Sequence, residues 1–141
     1  MKMLLNELLQ RKVGDLGEAK RAIHCAPDLS IHAAISTMKN AHIGSLVVVQ
    51  GLKVVGIFTE RDFLERVALN NVVITTSKVG EFMTPSPVCV QRHENLGLVL
   101  NKMREGGFRH IIIVDSYGNL EKVVSLREIM DYLVHCLAQA A

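Results

Sequence analysis

Apolar residues recur along this chain in two alternating rhythms, and the switches between them mark the elements. Leu4, Leu5, Leu8 and Leu9 repeat at helical spacing, so residues 2–12 read as a short amphipathic helix that ends before Gly14 and packs on the body of the protein or on a second subunit. A short strand over residues 22–26 precedes Pro27 and Asp28. Ser30 is placed to cap a helix that carries Ile31, Ala34, Ile35 and Met38 on one face and stops before Gly44. Leu46 to Val49 is an unbroken apolar run, the pattern of a strand buried on both faces; a turn at Gln50-Gly51 and a strand over residues 54–58 follow. Thr59 then opens a helix with the stripe Phe63, Leu64, Val67, which runs out at Asn70-Asn71.

A connector from Val72 to Pro87 follows, supplying one helical turn and a proline-braked entry to a strand over residues 88–90. The order then recurs: helix over residues 96–104, strand 111–114, turn 116–119, short strand near Val123, and a helix from Ser125. That last helix shows Leu126, Ile129, Met130, Leu133, Val134 and Leu137 on one side, a stripe wide enough to bury surface in a homodimer or against its own core.

The recurrence is also literal. Sliding the chain against itself lays Met38 on Met103, and the same shift lays Ile31, Ala34 and Ile35 on Leu96, Val99 and Leu100. Ile43-Gly44-Ser45-Leu46 then faces Phe108-Arg109-His110-Ile111. With one extra residue in the next turn, Thr59-Glu60-Arg61-Asp62 faces Ser125-Leu126-Arg127-Glu128. Two copies of a small αβ unit predict a mixed α/β fold of two pseudo-twofold β-α-β-β-α repeats with matched clefts between them.

Composition narrows the function classes. With 49% apolar residues in 141, the chain can fill one core or two half-size ones sharing it. Sixteen basic and 14 acidic residues are interspersed, the net charge is +2 and aromatics are 4%, a poor fit to nucleic-acid binding. The apolar start is broken at Asn6 and Glu7, and no run approaches the ~20 residues of a membrane span, so a cytoplasmic location without membrane insertion is expected. Cys25, Cys89 and Cys136 are odd in number and far apart, unlike a disulfide framework. His24, Cys25, Cys89, His93 and His110 lack the close spacing of structural zinc ligands, so no metal is assigned. No P-loop, dinucleotide fingerprint or nucleophile–base motif is present, and no enzyme activity is expected.

What remains is a pair of strand-to-helix junctions, each with a hydroxyl followed three residues later by an acid: Thr59 with Asp62, and Ser125 with Glu128. This is the spacing of a capping box, worth about 1 kcal/mol and needing no ligand. The same geometry suits an anion or a ribose, whose vicinal hydroxyls a carboxylate accepts. Spacing alone favours the cap.

Gly56-Ile57-Phe58-Thr59-Glu60-Arg61-Asp62, the strand preceded by Ile43-Gly44-Ser45, and the connector with Met83-Thr84-Pro85 together resemble a tandem cystathionine β-synthase (CBS) domain pair, the Bateman module, over residues 18 to 138. The resemblance divides the chain into an N-terminal helix and linker (1–17), a first repeat (18–71), a connector (72–86) and a second repeat with its C-terminal helix (87–138). It implies a regulatory, energy- or redox-sensing protein that binds AMP, ADP, ATP, NAD(H) or S-adenosylmethionine and signals by ligand-dependent conformational change, as a homodimer acting on a separate effector protein. Carried over, it makes Asp62 the ribose acceptor and Thr59 its polar neighbour, and it gives Gly56 the role of admitting the ligand to the strand. Pro87, Val88 and Cys89 would lie along the base, and Arg109 and His110 would meet phosphate, a task suited to the Arg fork. The second cleft departs from the pattern. Ile23, His24, Gly44, Ser45, Lys122, Ser125 and Glu128 would line a degenerate site in which Glu128 replaces Asp, and Lys122 stands where the first repeat has Gly56, either closing the pocket or offering a cation. The rival readings are a dimerisation scaffold that binds no nucleotide and a small enzyme or redox protein using the thiols.

Overall fold

The computed structural model describes residues 2–16 and 23–140. The chain divides into two units. One, here the first-repeat unit, comprises Ala22–Pro87 with Gly118–Leu120; the other, the second-repeat unit, comprises Met1–Arg21, Val88–Tyr117 and Glu121–Ala141.

The chain starts with α1 (Lys2–Leu9) and a 3-10 turn at Val13–Asp15, shorter than the helix expected to residue 12. In the first-repeat unit, β1 is only His24–Cys25; of the rest of the expected strand, Ile23 and Ala26 are exposed and Ala22 lies outside the described residues. Then come α2 (Ile31–Ala41), β2 (Ser45–Gln50) and β3 (Lys53–Thr59). The next helix, α3, starts at Glu60–Asp62 and widens into π turns over Phe63–Ala68. The connector forms α4 (Val79–Phe82) and β4 (Thr84–Pro85). The sheet order is β1-β2-β3-β4, with β1 parallel to β2 and β3 antiparallel to both of its neighbours.

The cap on α2 is as the spacing requires: Ser30 Oγ accepts from Ala33 N at 3.1 Å. Ile31, Ala34 and Met38 from α2 pack with Leu46, Val48, Phe58, Val67 and Val79. Leu46 to Val49 are all buried, as an unbroken run demands. Leu64 departs from its stripe and is 60% exposed.

The second-repeat unit repeats the order with β5 (Cys89–Gln91), α5 (Leu96–Gly106), β6 (His110–Val114), β7 (Leu120–Ser125) and α6 (Leu126–Ala140). Its sheet runs β5-β6-β7. The core joins Val90, Leu96, Val99, Met103, Ile111, Ile113, Val124, Ile129 and Leu133 to Leu8, Val13 and Leu16 from the N-terminal segment. In α6 the stripe is narrower than its sequence: Ile129 and Leu133 are buried, while Met130 and Val134 are 48% and 61% exposed.

A further echo explains how the N-terminal segment packs. Lys12-Val13-Gly14-Asp15-Leu16 matches Lys78-Val79-Gly80-Glu81-Phe82. Val13 N and Gly14 N donate to Glu94 O and Arg92 O at 2.8 and 2.9 Å; Val79 N and Gly80 N donate to Leu29 O and Pro27 O at 2.9 and 2.8 Å. Both valines are fully buried. Each unit is thus completed by the segment that precedes the other repeat in sequence.

Candidate functional site

The junction of β3 and α3 carries a polar network centred on Thr59 and Asp62. Thr59 is extended, so its side chain faces the first turn of α3 and accepts from Asp62 N at 3.1 Å, while Asp62 Oδ2 accepts from Thr59 N at 3.0 Å and from Thr59 Oγ1 at 3.1 Å. The capping box expected from spacing is therefore formed. Asp62 is nonetheless 6% exposed, unusual burial for an acid, and it holds partners no cap requires. Its Oδ1 accepts from Thr84 Oγ1 at 2.9 Å, and Arg66 Nε stands 3.7 Å away. Arg66 in turn donates to Met83 O at 2.9 Å. Neither Thr84, which enters the sequence pattern only within Met83-Thr84-Pro85, nor Arg66 was expected at the site: Arg66 lies one helical turn past Asp62, a detectable spacing, whereas Thr84 is brought to Asp62 only by the fold.

Strand β4 explains both contacts and revises the expectation of a bare strand entry. Thr84 and Pro85 pair with Ile57 and Gly56 along the sheet edge, where the missing N–H of proline costs no ladder bond. A Cβ at Gly56 would collide with Met83 Sδ and lie 3.0 Å from Met83 Cγ and Thr84 O. The missing side chain at Gly56 admits the connector against the strand.

The other expected ligand-site residues divide between the units. Pro87, half-buried, ends the first-repeat unit; exposed Val88, half-buried Cys89, exposed Arg109 and half-buried His110 belong to the second. Arg109 stands just ahead of β6, and its carbonyl accepts from Leu126 N at 2.8 Å, as Gly44 O accepts from Glu60 N at 3.1 Å in the other repeat. Of the second set, Ile23, His24, Gly44 and Ser45 lie in the first-repeat unit, and Lys122, Ser125 and Glu128 in the second. Ser125 and Glu128 form the matching cap, with Glu128 N donating to Ser125 Oγ at 3.1 Å and Ser125 Oγ to Glu128 Oε1 at 3.2 Å, but Glu128 is exposed. Lys122 Nζ donates to Gly14 O and Leu16 O at 2.6 and 2.8 Å. These two bonds pin the N-terminal segment to β7.

Two of the thiols are held toward their protonated form. Burial and the Asp28 carboxylate push Cys25 up from 9.0 to about 11, and burial pushes Cys89 up. A cavity of about 660 Å³ in the first-repeat unit is lined by Ile35, Met38, Ile43, Phe63 and Leu64, with Lys39, His42 and Glu60, and of the expected site residues it touches only Gly44. Among the described residues no helix is long and apolar enough to cross a membrane.

Known proteins sharpen this picture. A CBS protein of Arabidopsis thaliana, CBSCBSPB3, is 30% identical over 104 residues, covering 74% of this chain and 19% of its own length. An uncharacterized 17.7 kDa protein of Acidianus ambivalens is 35% identical over 104 residues, covering 73% of this chain and 62% of its own. The chain thus spans less than two thirds of either relative. Among solved structures, a CBS-domain protein of Agrobacterium tumefaciens is 28% identical with a TM-score of 0.76, over 86% of this chain and 98% of that one. The CBSX2 protein, solved in complex with AMP, is 25% identical with a TM-score of 0.76, over 88% and 96%. The CBS domain family matches residues 13–69 and again 79–135, so the two β-α-β-β-α units, each with its capped strand-to-helix junction, are a tandem pair and the chain belongs to the CBS-domain family.

Proposed function

We propose that the chain is a regulatory module that binds an adenosine-containing ligand, with Asp62 accepting from the ribose and Thr59 beside it. The observation that carries this reading is the burial of the Asp62 carboxylate in the first repeat of a CBS pair, in a chain similar to one solved with AMP. Arg109 and His110 are the proposed phosphate partners, and Pro87, Val88 and Cys89 the proposed neighbours of the base. AMP, ADP, ATP, NAD(H) and S-adenosylmethionine all carry the adenosine that these residues address. With no catalytic cofactor or nucleophile in this scheme, binding changes conformation, and the output passes to a separate effector protein. Homodimerisation belongs to the same reading, and Met130, Val134 and Leu64 supply exposed apolar surface for a second copy.

Melting the protein with each of the five ligands tests this: a ligand at 100 times its Kd stabilises by about 2.7 kcal/mol. Asp62→Ala is expected to remove that shift while circular dichroism still reports a cooperative fold. Retained binding in that variant removes the ribose role. A second reading, an interaction scaffold that binds no nucleotide, draws on the three internal donors that Asp62 already holds, and absence of any shift in the unmodified protein selects it.

A further inference from the structure

The acceptor capacity of Asp62 is nearly used up by the protein itself. An ionised carboxylate offers about four acceptor sites, two on each oxygen. Thr59 N and Thr59 Oγ1 fill both on Oδ2. Thr84 Oγ1 fills one on Oδ1. Arg66 Nε, at 3.7 Å, pairs by charge but lies beyond hydrogen-bond reach. Among the described residues, one acceptor site is left. A single ligand hydroxyl fits it, but the vicinal diol of a ribose brings two donors, so one internal donor must leave.

The three internal donors are not equally removable. Thr59 N is backbone at the start of α3 and cannot rotate. Thr59 Oγ1 also accepts from Asp62 N, so moving it opens the cap. Thr84 Oγ1 sits on the two-residue edge strand β4, its residue is half-buried, and among the described residues its side chain bonds to Asp62 alone. Rotation of one side-chain torsion frees the site. Building on the proposed role of Asp62, we propose that Thr84 is a specificity-determining residue. Its hydroxyl competes with the second hydroxyl of a ribose for Oδ1, so the protein binds a vicinal diol less tightly than its carboxylate allows and discriminates little between ribose and deoxyribose.

Calorimetric titration with AMP and with its deoxyribose counterpart, on the unmodified protein, Thr84→Val and Thr84→Ser, tests this. Thr84→Val removes the competitor at constant shape and is expected to tighten AMP binding about tenfold, the worth of one hydrogen bond to a charged group, while the deoxyribose ligand changes less than about twofold. Thr84→Ser restores the hydroxyl and is expected to match the unmodified protein for both. Thr84→Ala is the substitute in the same assay if the valine variant does not melt cooperatively. Weaker or unchanged AMP binding in the hydroxyl-free variant overturns the proposal and leaves the ribose role of Asp62 standing. If the unmodified protein binds neither ligand, both fall together.

Discussion

Cys25 stands half-buried at the end of β1, and its ionisation is governed first by that burial and then by the nearby Asp28 carboxylate. Both disfavour the thiolate, so the group that ordinarily titrates near 9.0 does so at about 11, and at neutral pH almost every molecule carries the unreactive thiol. Alkylation of Cys25 by iodoacetamide is therefore expected to accelerate about tenfold for each pH unit from neutrality until it levels off near pH 11, read by mass spectrometry of the Cys25 peptide. Fast alkylation at neutral pH would reverse the assignment and return the thiol chemistry to consideration. The sequence supplied the argument against a disulfide framework, because number and spacing are written in it, but not this shift, which depends on how deeply the fold seats the side chain. Asp62 divides in the same way. The cap with Thr59 is local and was legible three residues away, whereas Thr84, 22 residues on, reaches Oδ1 only because β4 pairs with β3.

Elements with a full turn or more of apolar periodicity were legible, since α2, α5, β2 and β6 each bury most of a face against one core and the pattern records that face. Strand β4 was not: two residues, one of them proline, have no period to read, and the pairing is decided by the absent side chain at Gly56. Leu64, Met130 and Val134 mark the opposite error, apolar positions at helical spacing that the helix turns outward. The two repeats also differ at one helix end. α5 closes with Gly107 at φ +69°, and α2 closes at the matching position with His42 at φ +54°. A side chain in this left-handed region costs about 1–2 kcal/mol, partly offset by the flexibility glycine brings to the unfolded chain. His42→Gly is accordingly expected to stabilise the protein by about 0.5–1 kcal/mol, measured as a higher urea midpoint with unchanged slope. An unchanged or lower midpoint would mean that the imidazole makes contacts worth as much as the strain.

The repeat in the sequence suggests that each half is built from consecutive residues, yet the packing does not follow chain order. The five-residue echo around Val13 and Val79 sends each segment into the unit of the repeat it does not precede, through matched pairs of backbone bonds and a fully buried valine. The signal was present in the letters, but it names two equivalent segments and not the partner of each; that choice is made by the chain path. It has an energetic consequence for the N-terminus. Leu8, Val13 and Leu16 are at most 2% exposed, and burying three such side chains contributes on the order of 5 kcal/mol, comparable with the whole stability of a domain. Lys122 adds two hydrogen bonds from a charged donor to the carbonyls of Gly14 and Leu16. Deleting residues 1–16 is therefore expected to strip hydrogen-exchange protection from α5 and β6 while α2, β2 and β3 keep theirs, because the first-repeat core draws on Val79 instead. Equal loss in both units would show that they unfold as one cooperative body, and undiminished protection of α5 and β6 would show that the N-terminal segment contributes no stability to the core it fills.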